Sequence, residues 1–285
     1  MASTYKSGRQ ISKKVAGVPS SDGAGVKMRR LIASPLLDYV DPFLLLDEFR
    51  TDRPGDYIGG FPDHPHRGFE TVTYMLAGRM RHGDNKGNQG LLRPGSVQWM
   101  TAGRGIIHSE MPEQENGLMW GFQLWVNLPA DKKMIAPRYQ DIQPEDIPQI
   151  ERENGIRIKL IAGEVDGIKG AVDGIATHPV FLDIALPQDL SFSHDLPSSH
   201  NCFVYPYDGD IAIGSGDEAQ LLPHQQLAVL SPGDRVEIIG KSPISRFILV
   251  AGQPLHEPVA RYGPFVMNTV DQLKQAVADF QAGRF

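Results

Sequence analysis

The chain is 285 residues long, 41% hydrophobic and 22% charged, a composition typical of soluble globular proteins and long enough for one large or two ordinary domains. A formal charge of −6 gives no long-range attraction to a nucleic-acid backbone, and Lys13-Lys14 and Arg29-Arg30 are too short to form a phosphate-binding face. Cys202 is the single cysteine, so no intrachain disulfide forms; without an apolar secretory segment or a stretch of transmembrane length, a cytoplasmic address with no membrane partner is expected.

Thirty glycines and twenty-two prolines predict many turns between short strands, hence an all-β fold. After a polar lead-in, strands are predicted over 26–33 and 43–49. Residues 70–75 read Glu-Thr-Val-Thr-Tyr-Met, rich in β-formers, and a turn at 77–79 leads into 80–82. A second turn at 93–95 precedes a strand over 96–100, and 106–110 is extended. The apolar run 121–128 reads as a core strand. Proline and charge rise over 129–154, read as a linker with a short helical turn at 144–147. Strands resume at 156–161, 180–186, 202–205, 227–230, 235–239 and 246–250. Only the end is helical: Asn268 or Thr269 caps it, Val270, Leu273, Val277 and Phe280 share a face, and Gly283 stops it.

Turns repeat across the halves. Arg93-Pro94-Gly95 is echoed by Ser231-Pro232-Gly233, and Ala77-Gly78-Arg79 by Asp208-Gly209-Asp210, at nearly equal offsets. An internal duplication of one β-barrel is therefore expected. Sliding by these offsets sets His64 and His66 near Asp195 and Pro197, and His108 and Glu110 near Arg246 and Ile248. His194 and His200 lack paired spacing, so the second copy should be metal-free.

The chemistry concentrates in 59–110. His64-Pro65-His66 opens this stretch and His108-Ser109-Glu110 closes it. Residues two apart on a strand share a face, so two such strands facing each other in a barrel would gather three imidazoles and one carboxylate around a point. Gly103 and Gly105 permit the tight turns that aim the second pair inward. These donors suit Fe, Mn, Co, Ni or Cu better than Ca or Mg, and zinc fits them too. Glu70 could join the metal or pair with Arg67. His82 could face the same cavity, although an exposed histidine is the plainer reading. Trp99, Met100, Trp120 and Trp125 are expected in the barrel core, and Cys202 as a buried small hydrophobe.

The segments HPHRGFETVTYMLAGRMRHGD, PGSVQWMTAGRGIIHSEMP and QLWVNLP, together with RFILVAGQPLHEPVARYGPFVMNT near the end, resemble the pirin family of the cupin superfamily. The resemblance implies a bicupin: two antiparallel, jelly-roll-like β-barrels packed face to face, with a C-terminal helix. The divisions expected are 1–135 for a metal-binding barrel, 136–155 for a linker and 156–285 for a metal-free barrel carrying the helix. It also implies His64, His66, His108 and Glu110 as ligands of one divalent transition metal, Fe(II) foremost. Typical cupins use the carboxylate at the position of Glu70; the pirin pattern moves that duty to Glu110.

Some pirins resemble quercetin 2,3-dioxygenases, while others are described as cofactors of transcription factors. The leading expectation is a metal-dependent dioxygenase that opens the ring of a flavonol-like aromatic with O₂ and releases carbon monoxide, Glu110 serving as general base for the 3-hydroxyl. The alternative is a non-enzymatic metal-binding redox sensor acting through a protein partner. Substrate-contacting residues are not legible, and a sugar isomerase finds no sugar-phosphate-binding cluster.

Overall fold

The β-branched and aromatic runs form strands wherever a partner strand lies beside them. A computed structural model describes residues 7–285, which form two units. In each, a seven-stranded sheet accompanies a four-stranded one, all strand pairs being antiparallel.

The first unit comprises 18–146 and 255–285. Its larger sheet runs Arg138–Ile142, Val97–Thr101, Phe69–Ala77, Met119–Asn127, Phe43–Thr51, Val26–Ile32, Val18–Asp22. Its smaller sheet runs Phe61–His66, Ile106–Pro112, Met80–Asp84, Gln89–Leu92. The second unit, 7–17 with 147–254, repeats that plan. Ile11–Ala16, Gln226–Leu230, Asn201–Asp208, Ile244–Gly252, Val180–Pro187, Arg157–Ala162 and Gln149–Glu151 form the larger sheet. Ser191–Asp195, Arg235–Gly240, Ile211–Ile213 and Gln220–Leu222 form the smaller. Matching strand order in both sheets is the expected duplication, but only the Gly78 and Gly209 turns are equivalent: the Pro94 turn precedes Val97–Thr101, whereas the Pro232 turn follows the matching strand Gln226–Leu230.

The divisions differ from the expected ones in three places. Ile11–Ala16 pairs with Gln226–Leu230 and so completes the second unit, although it comes first in the chain. The stretch 136–155 is no free linker: Arg138–Ile142 pairs with Val97–Thr101, and Gln149–Glu151 with Arg157–Ala162. Each is the outermost strand of its larger sheet and satisfies the backbone donors and acceptors of the strand beside it. The helical turn expected there is a short 3₁₀ turn at Pro144–Asp146.

The third difference is the chain's end. Segment 255–285 belongs to the first unit, because Leu273 and Ala276 of the helix Val270–Gln281 pack with Phe265, Met267 and Phe285. Thr269 caps this helix through a reciprocal capping box with Gln272, and Gly283 ends it at φ +67°. Val270, expected on the apolar face, is 62% exposed, since the buried stripe runs through Leu273 and Ala276. No described helix is long and apolar enough to cross a membrane.

The two interiors differ in kind. In the second unit, the rows Leu160-Leu182-Leu249-Val204-Ala228 and Ile158-Ile184-Phe247 cross the larger sheet, and every member belongs to one buried apolar core. In the first unit, the corresponding sheet carries the row Arg30-Asp47-Gln123-Thr73-Gln98. That barrel spends interior positions on polar groups.

Candidate metal centre and its cavity

The two predicted pairs lie on neighbouring strands rather than on strands facing each other. Phe61–His66 and Ile106–Pro112 pair directly, with His108 opposite His64, so the period of two puts His64, His66 and His108 on one face. Ring nitrogens of all three come within 4.8 Å of one another. Gly103 at φ +50° and Gly105 at φ +138° make the turn that starts the second strand, as expected.

The imidazoles are poised as lone-pair donors. His64 Nδ1 donates to the Pro62 carbonyl at 2.8 Å, because a carbonyl only accepts; in the neutral ring this tautomer leaves the lone pair on Nε2. That atom lies 3.0 Å from His66 Nε2. Two nitrogens that each bond one ion at about 2.1 Å stand at most about 4.2 Å apart, and this pair lies within that reach. Burial pushes His66 and His108 well below the ordinary histidine range, and the neighbouring imidazoles add to the effect. Both rings are neutral at pH 7. Among the described residues neither nitrogen of His108 has a hydrogen-bond partner, although the ring is wholly buried. An orphaned buried imidazole is costly without a ligand, so the three rings fit a transition ion.

Glu110 stands outside the 4.8 Å group. A bulge between His108 and Glu110 changes the register, and the buried carboxylate is held from the larger sheet. Thr73 Oγ1 donates to Oε1 at 2.6 Å and Gln123 Nε2 donates to Oε2 at 2.9 Å. Thr73 and Gln123 face each other across paired strands. Nothing in the linear sequence marks them; only the strand register brings them to Glu110.

The remaining candidates separate from this site. Glu70 accepts from Thr101 Oγ1 at 2.6 Å, and burial raises its pKa against that bond. Arg67 turns instead to the Arg104 carbonyl and to Asp279 of the helix, so a Glu70–Arg67 pair does not form. His82 is buried, not exposed: Nε2 meets Asp141 Oδ2 at 2.9 Å and the ring stacks on Tyr139. Gly90 lies against that ring, where a Cβ would collide with Nε2. Trp99 and Met100 are core, as expected. Trp120 instead sits beneath Arg50 and bonds Glu48, and Trp125 meets the His66 ring edge-on.

His64, His66 and Glu110 open onto a cavity of about 650 Å³ whose walls include Phe49, Phe61 and Trp125. That volume suits a drug-sized organic molecule. Arg30, Asp47 and Gln123 line the same space.

In the second unit, strand pairing sets His194 opposite Val236, Phe192 opposite Ile238, and Ile213 opposite Ile238. The turn following Gly209 matches that following Gly78, so His108 corresponds to Val236, Glu110 to Ile238, and His64 to His194. This register replaces the positions obtained by sliding the sequence, because loop lengths differ between the copies.

Two family models cover much of the chain: Pirin over residues 25–126 and the Pirin C-terminal cupin domain over 181–285. The pirin-like protein of Caulobacter vibrioides is 48% identical, covering 97% of this chain and 99% of that one. This chain belongs to the pirin family. Pirin of Homo sapiens is 45% identical over 96% of this chain and 93% of its own. Among solved structures, the quercetin 2,3-dioxygenase of Acinetobacter baumannii matches with a TM-score of 0.89 at 33% identity, covering 98% of each chain. The bicupin architecture is thus the family's.

Proposed function

We propose that this pirin is a metal-dependent dioxygenase that opens the flavonol ring of a quercetin-like substrate with O₂ and releases carbon monoxide. The observation that carries the reading is a cluster of three imidazoles, two of which, His64 and His66, open onto an aromatic-walled cavity of about 650 Å³. The similarity to a quercetin 2,3-dioxygenase at 33% identity supports it.

His64, His66 and His108 would hold one divalent transition ion, with Glu110 as the fourth member of the set; Fe(II) leads, and Mn, Co, Ni, Cu and Zn share the donor chemistry. When bound, the ion supplies Lewis acidity and redox chemistry to the substrate and O₂. The chain's own residues do the rest. Glu110 takes the proton of the flavonol 3-hydroxyl, and Thr73 and Gln123 fix its carboxylate for that transfer. Trp125, Phe49 and Phe61 give flat apolar walls that orient an aromatic ring and exclude water. A sensor that works through a protein partner needs no such cavity, so an open pocket beside the imidazoles favours the enzyme.

The test is oxygen uptake and carbon monoxide release with quercetin after reconstitution with each metal in turn. The reading predicts one carbon monoxide released per O₂ consumed for at least one metal. Absence of turnover with Fe, Mn, Co, Ni and Cu alike contradicts it.

A further inference from the structure

The cavity holds an ion pair that the proposed chemistry leaves unused. Arg30 Nε donates to Asp47 Oδ1 at 2.9 Å and Nη2 to Oδ2 at 2.7 Å, a two-pronged contact. The Asp47 side chain is 4% exposed and that of Arg30 22%. Taking such charges out of water is costly, and apolar residues of similar volume often serve stability as well or better.

The second unit is an internal control. Its larger sheet has the same strand order, and there the facing residues on the matching strands are Leu160 and Leu182, part of an uninterrupted apolar core. The fold therefore does not require charge at these positions. The pair occurs in the barrel that also carries the imidazoles, and both members line its cavity. Asp47 lies opposite Gln123 on the neighbouring strand, which puts the pair next to the residue that holds Glu110.

The contact leaves hydrogen-bonding capacity. Each Asp47 oxygen receives one bond from Arg30 and has a second lone pair. Arg30 Nη1 has no hydrogen bond among the described residues, since Nε and Nη2 carry the bonds to Asp47 and Asp22. An acceptor and a donor lining one cavity can recognise a hydroxyl group, which both gives and takes a hydrogen bond. They do not favour a carboxylate, because Asp22 and Asp38 line the cavity as well.

We infer that Arg30 and Asp47 form a hydroxyl-binding subsite that selects aromatic substrates bearing ring hydroxyls beyond the group that reaches the imidazoles. This rests on the flavonol reading above and narrows it to polyhydroxylated members of that class. An unpaired buried charge would form if one partner were removed alone, so the informative variant is the double substitution Arg30→Leu/Asp47→Leu, which copies the second unit.

Wild type and double variant are reconstituted with the same metal and titrated with quercetin and with 3-hydroxyflavone, which keeps the 3-hydroxyl and carbonyl but lacks the ring hydroxyls. Binding is read by tryptophan quenching, with metal content and thermal midpoint as controls. The inference predicts normal metal loading, a retained or raised midpoint, quercetin Kd raised roughly tenfold or more, and 3-hydroxyflavone Kd unchanged or lower. Equal Kd values for quercetin in both proteins, or equal weakening for both flavonols, would overturn it. Loss of fold in the double variant would also overturn it, by showing that the pair is structural. If wild type binds neither flavonol, the proposed function fails and takes this inference with it.

Discussion

Glu110 and Glu70 are both buried carboxylates in the first barrel, yet their surroundings assign them different work. Glu110 reaches the cavity and is held by Thr73 and Gln123; Glu70 accepts from Thr101 and is absent from the cavity wall. Glu110→Gln keeps the size but removes the anion and the base. Compared at equal metal occupancy, it should lower flavonol turnover by roughly 10²-fold or more, whereas Glu70→Gln should keep metal and much of the activity. Metal lost from Glu70→Gln but kept by Glu110→Gln would show that the barrel follows the ordinary cupin arrangement. Lys133 offers a second test at this scale. Its buried ammonium donates to the Gly68 carbonyl, Asn127 Oδ1 and the Val266 carbonyl, tying down the loop after His66. Burial lowers its pKa from 10.5 to about 8, so between those values the unfolded chain binds more protons. The contribution of Lys133 to stability therefore rises with pH across that window. Urea denaturation of wild type and Lys133→Leu should show a stability gap that widens from pH 8 to pH 10; a gap that narrows would contradict this.

Among elements, the C-terminal helix reaches the neighbour of a site histidine despite its distance in sequence. Asp279 of the helix binds Arg67 Nη1 at 2.7 Å, next to His66 in the chain, and Arg67 and Arg284 together hold that carboxyl well below the usual range. Thr269→Ala removes the capping hydroxyl and should cost about 1 kcal/mol. Chemical denaturation of Thr269→Ala beside Lys274→Ala checks this, because Lys274 is 73% exposed in its side chain and its loss should cost much less. Equal losses would mean that the cap is not held. The helix is legible in the sequence because its cap and terminal glycine are local signals; of the expected stripe only Leu273 and Val277 pack inward, joined by Ala276. Its partner is not, since the contacts through Phe265, Met267 and Phe285 depend on where the chain returns.

Across the whole molecule, local patterns carried the architecture and long-range register carried the remainder. Short β-rich runs, the equivalent turns at Gly78 and Gly209 and the pirin resemblance point to two like barrels, whereas the Pro94 and Pro232 turns join strands that do not correspond. The His-Pro-His and His-Ser-Glu pairs were legible because a period of two is visible in a linear string. Thr73, Gln123, Arg30 and Asp47 were not, because each is an ordinary strand residue until pairing places it beside its neighbours. The edge strand Ile11–Ala16 was missed for a related reason: its partner lies more than two hundred residues away.

With Val236 and Ile238 standing where the first barrel has His108 and Glu110, one barrel alone should bind metal. The decisive measurement is metal analysis of reconstituted wild type, His108→Ala and His194→Ala. One tightly held ion per chain is expected in wild type, with stoichiometric metal lost in His108→Ala and full loading in His194→Ala. Two ions per chain, or normal loading in His108→Ala, would contradict it.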